Sequence, residues 1–86
     1  MSATKDYILY AVCLGQLKRL EAEVIKRVRR PIYPEQVDAY NKITEAIFEM
    51  LAAAAVRQKI HRNNMQEAIE VRKRIDEVLE WNVTRN

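Results

Sequence analysis

One glycine and two prolines occur in 86 residues, and the prolines stand close together as Pro31 and Pro34. With so few breakers, the chain cannot be a turn-rich β protein, and nearly everything in it is compatible with helix. One cysteine excludes an internal disulfide, and one cysteine with one histidine cannot supply the spacing of a structural metal site. Free cysteine is usually buried, so Cys13 is read as a small core residue. The longest nearly uninterrupted apolar run, Tyr7 to Leu14, falls well short of the ~20 residues that span a bilayer and lacks a signal-peptide cleavage pattern. A cytoplasmic protein without a membrane segment is expected.

What is present is helical periodicity on both sides of Arg30-Pro31-Ile32-Tyr33-Pro34. The first helix is expected to start with Ser2 or Thr4 as N-cap and to end near Arg29, because Pro31 disfavours helix at Arg30. Its inward stripe reads Tyr7, Tyr10, Leu14, Leu17, Val24 and Val28, broken only by Glu21. Pro34 suits a first helical position, with Glu35 and Asp38 near the positive end of the dipole, so a second helix starts there. Val37, Tyr40, Ile43, Ile47, Met50, Leu51 and Ala54 keep helical spacing, and the pattern extends to about Arg62. Ala52 to Ala55 have high helix propensity and allow another helix to approach closely.

Asn63-Asn64 is the one further break, with Glu67 placed for a capping box, and a third helix is expected from Met65 to about Trp81. Its apolar side reads Met65, Ala68, Ile69, Ile75, Val78, Leu79 and Trp81. The fold is therefore expected to be all-α, a single domain over residues 1–86 in which an antiparallel helical hairpin carries a shorter third helix as a three-helix bundle. In that arrangement the third helix starts beside the N-terminal end of the first and covers Ile8 to Leu14. It stops short of the proline corner, leaving Val24, Ile25, Val28, Ile32, Tyr33 and Trp81 partly uncovered as the candidate partner-binding patch.

Charge is concentrated at helix ends. Lys26, Arg27, Arg29 and Arg30 close the first helix, and Arg57, Lys59 and Arg62 with His61 close the second, where helix dipoles favour cations. Lys18, Lys26, Arg29, Arg30, Arg57, Lys59 and Arg62 form the alternative candidate set, one that tracks the phosphates of RNA or DNA within a larger nucleoprotein complex. A net charge of +3 is a small excess for that role, and no aromatics interleave the basic stripe to stack on bases. His61 has no serine, cysteine or carboxylate placed by a motif to make it a catalytic base. No enzyme activity, cofactor, metal or small-molecule substrate is expected.

The stretch from Leu14 to Ala55, with Leu17, Leu20, Pro34-Glu35-Gln36 and the alanine-bearing helix, resembles the small hairpin co-chaperones of type III secretion needle subunits. The resemblance covers half the chain. The third helix departs from that family's plain hairpin, and no functional residue is carried over. The expected function is a non-enzymatic helical protein–protein interaction module: an adaptor, assembly subunit, chaperone or inhibitor. Its partner would be another protein or a second copy of the chain.

Overall fold

The structure is a computed structural model. It describes residues 2–27, 32–59 and 65–85, with side chains described over 7–27, 32–59 and 65–80. Three helices account for almost all of these: α1 Ser2–Arg27, α2 Pro34–Arg57 and α3 Gln66–Arg85. Each packs against both others, and the α1–α2 hairpin contact is the most extensive. The molecule is an elongated helical bundle, 47 × 21 × 16 Å along its principal axes. Its radius of gyration of 14.1 Å exceeds the ~12 Å of a round domain this size.

Local chemistry sets the ends of α2. Tyr33 is the N-cap in extended conformation and Pro34 follows at the first helical position. The Gln36 side-chain carbonyl accepts the Tyr33 backbone N–H at 3.1 Å, while the Tyr33 carbonyl accepts the amides of Gln36 and Val37. At the other end the helix stops at Arg57, five residues before the expected Arg62. Lys59 has φ 52°, the left-handed conformation that ends helices, and its amide turns back to the Val56 carbonyl. A lysine gives no sequence signal for that conformation, which glycine usually supplies. The proposed Asn63-Asn64 break and His61 lie outside the described residues.

The core is one stripe from each helix: Cys13, Leu17 and Val24 of α1, Val37 and Leu51 of α2, and Ala68, Val71, Ile75 and Leu79 of α3, with Ile32 sealed among them. Thr44 is buried in this stripe too, its hydroxyl donating to the Tyr40 carbonyl at 2.7 Å so that no polar group is stranded. Burial pushes the Cys13 thiol pKa up and keeps the thiol protonated.

The position of α3 differs from the sequence expectation. Glu67 in its first turn pairs with Lys18, and Arg74 pairs with Glu21. Helix α3 therefore runs parallel to α1, but starts beside its middle rather than its N-terminal end. Glu21, the one interruption of the α1 stripe, sits at this seam with its side chain largely covered. Side-chain hydrogen bonding to Glu21 raises the Arg74 pKa above its already high value. Both polar residues on this edge of α1 find opposite charges in this register. The consequence is an exchange of ends. Val24 and Ile32, expected to be partly uncovered, are buried, whereas Ile8 and Val12, expected to be covered by α3, are about half exposed, as is Tyr7 of the expected inward stripe.

Candidate functional site

Two of the six residues expected to form a patch at the proline corner, Val24 and Ile32, lie in the core and cannot contact a partner. Ile25 and Tyr33 are exposed, Tyr33 at 68%. Val28 and the side chain of Trp81 lie outside the described residues. Among the described residues the exposed large apolar groups of the corner are Ile25 and Tyr33.

The basic set is divided. Lys18 is engaged with Glu67 at the α1–α3 edge. Lys26 is exposed near the C-terminal end of α1, whereas Arg57 and Lys59 are exposed at the far end of α2. In an antiparallel hairpin these are opposite ends, separated by roughly the 36 Å length of a 24-residue helix. Arg29, Arg30 and Arg62 lie outside the described residues.

Among the described residues, a continuous apolar surface lies on the face of the hairpin turned away from α3. A shallow groove of about 310 Å³ runs between α1 and α2, with Gln16, Arg19, Leu20 and Glu23 as one wall and Tyr40, Ile43 and Ile47 as the other. Glu23 is drawn along its own helix by Arg27 at 3.6 Å, which leaves the groove floor apolar. The surface continues past the groove through Ile8, Val12, Ile43 and Met50, exposed at 58, 49, 46 and 48%.

Helix α2 explains why this face exists. Its residues repeat every seven, in two seams rather than one. Val37, Thr44 and Leu51 with Tyr40, Ile47 and Ala54 form the inner seam, buried or half-buried against α1 and α3. Ala39, Ile43, Ala46, Met50 and Ala53 form the outer seam at steps of four, three, four and three, and all five are exposed. Ile43 and Met50, which share the helical spacing of Val37, Tyr40, Ile47, Leu51 and Ala54 in the sequence, thus belong to a separate, exposed row. The heptad recurrence of Ala39, Ala46 and Ala53 was the available signal, but exposed alanines carry little weight in a hydrophobicity pattern.

Among the described residues no three metal-ligating side chains cluster, and no helix is long and apolar enough to cross a membrane. The titratable groups with displaced pKa values lie off the groove. Tyr10 is raised by burial and then by the Glu67 charge, and Arg74 and Cys13 belong to the helix seams. Physically, the groove offers shape and apolar area with charge only at its rim, which suits an incoming helix. Comparison of the chain with protein-family models, with curated proteins and with solved structures returned no match.

Proposed function

We propose that the chain is a helical protein–protein interaction module that acts by binding rather than by chemistry, and that its docking surface is the α1–α2 face. The observation that carries this reading is the outer seam of α2. A heptad-spaced apolar row next to a groove is what a helix needs to receive another helix, and here it has no partner within the described residues. The roles that fit are those of an adaptor, assembly subunit, chaperone or inhibitor. Rim charges such as Arg19 orient the approach, and the apolar floor supplies the affinity.

Photo-crosslinking tests this in the cells that make the protein. A benzophenone side chain replacing Gln16, in the groove wall, should give discrete protein adducts. The same group replacing Lys73, exposed on α3, should give none. Nucleic-acid adducts, adducts only from position 73, or none from either position would overturn the reading.

A further inference from the structure

We infer that the occupant of the α1–α2 face is a second copy of this chain, docked antiparallel so that α1, α2 and their two counterparts form a four-helix layer with α3 on the outside of each copy. This rests on the functional reading above and names its partner.

Four observations lead to it. First, the outer seam is complementary to its own two-fold image. Large and small residues alternate as Ala39, Ile43, Ala46, Met50 and Ala53. With a two-fold axis near Ala46, Ile43 of each copy settles between Ala46 and Met50 of the other, and the alanines let the helix axes approach closely.

Second, the flanking charges match the same axis. Lys42 and Glu49 stand on the outer edge of the seam, at nearly equal distances on either side of Ala46. Antiparallel docking brings Lys42 of one copy against Glu49 of the other, twice. The present neighbour of Lys42 is Asp38 at 3.3 Å, an exposed pair that an interface contact can replace at little cost.

Third, the geometry leaves room. At 100° per residue, the centre of the outer seam lies roughly a quarter-turn from Tyr40, Ile47 and Ala54, which face α1. A helix seated there puts the two α1 helices side by side without overlap. It faces Val12 and Gln16 towards the other copy, where Val12 meets the aliphatic stem of Arg19. Among the described residues, four of the eight exposed large apolar side chains, Ile8, Val12, Ile43 and Met50, fall on this one surface.

Fourth, the area suffices. A helix of about 36 Å on a molecule 21 Å across its second axis covers roughly 700 Å² per copy, close to the ~800 Å² of a stable interface.

The test is sedimentation equilibrium of the purified full chain over micromolar to submillimolar concentrations. The expected limiting mass is twice 10.1 kDa. Ile43→Glu should weaken the dimer by about a hundredfold. Lys42→Glu alone and Glu49→Lys alone should each weaken it by roughly tenfold, and the two together should restore it. Ala46→Cys should cross-link the dimer on oxidation, whereas Ala39→Cys should not, because only position 46 meets its own counterpart. Circular dichroism melts verify that each variant is folded. A monomer at every concentration would overturn self-docking, while protein adducts from position 16 to other proteins would keep the wider functional reading. A dimer indifferent to Ile43→Glu would overturn the assigned face. Failure of the double charge exchange to restore binding, or cross-linking through position 39, would overturn the antiparallel axis.

Discussion

Val24→Asp separates the buried corner from the open face. Val24 has no exposed surface, so the substitution removes a valine whose burial stabilises the fold by about 1.5–2 kcal/mol and puts a carboxyl in its place. An ionised carboxylate there would be unpaired in apolar surroundings, so the folded state takes up a proton instead. Holding an aspartic acid with an ordinary pKa of ~3.9 neutral at pH 7 costs about 4 kcal/mol, at 1.36 kcal/mol per unit. The total, about 6 kcal/mol, is comparable with the whole stability of an 86-residue domain, roughly 4–13 kcal/mol. The sign of the pH dependence follows. The folded-state pKa is raised, so the electrostatic penalty is absent below the unfolded pKa of ~3.9 and grows as pH rises towards the folded value. Urea unfolding followed by far-ultraviolet circular dichroism should show the variant largely unfolded near pH 7. Its deficit relative to the parent should shrink by about 3 kcal/mol near pH 4.5. The control, Ile43→Asp, changes a residue that is 46% exposed and should cost about 1 kcal/mol or less in the folding of one copy. Equal tolerance of both substitutions, or a Val24→Asp deficit independent of pH, would show that the proline corner is open and α3 misplaced.

Three further substitutions probe the framework. Gly15 lies within α1, and a Cβ built on it meets nothing within 4 Å, so Gly15→Ala should add about 0.5–1 kcal/mol and raise the melting temperature by roughly 2–8 °C in a calorimetric scan. A fall would place something against that position. Lys59→Gly should stabilise the chain by up to ~1 kcal/mol, by relieving a left-handed residue with a side chain at the end of α2; a loss of stability in urea would mean that the helix continues past Arg57. For the α1–α3 register, Glu21→Arg or Arg74→Glu alone should lower the melting temperature, and the double exchange should recover most of it. Additive losses would separate the two side chains.

Helix existence and order were legible because they depend on features that act locally: the proline pair, the N-terminal signals at Pro34 and Glu35, and long apolar periodicity. Register was not legible, because it depends on pairs far apart in sequence. Lys18 with Glu67 and Glu21 with Arg74 slide α3 along α1, and no single-helix pattern contains that information. The same shift moved the candidate site. With Ile75 and Leu79 in one cluster with Val24 and Ile32, these two become core, while Tyr7, Ile8 and Val12 stay exposed on α1 although Cys13 is buried. Val71 and Thr44 were also missed as core residues, Val71 because it is flanked by charged positions on both sides, and Thr44 because its hydroxyl is satisfied within its own helix.

The composition of the two α2 seams bears on the order of events. The inner seam carries Val37, Tyr40, Ile47 and Leu51, large groups that favour folding of a single chain. The outer seam carries three alanines and only two large residues, so leaving it exposed costs the lone copy little, while closing it brings two helix backbones near each other. A row of leucines in those positions would instead compete with the inner seam for the same neighbours and blur which face is core. The asymmetry lets one helix serve two interfaces in sequence: a strong one that completes the monomer, and a weaker one whose occupancy follows protein concentration. A concentration-dependent melting temperature would follow from that order, since binding confined to the folded state adds stability as concentration rises. A melting temperature unchanged across the sedimentation range would place the outer seam outside any self-association.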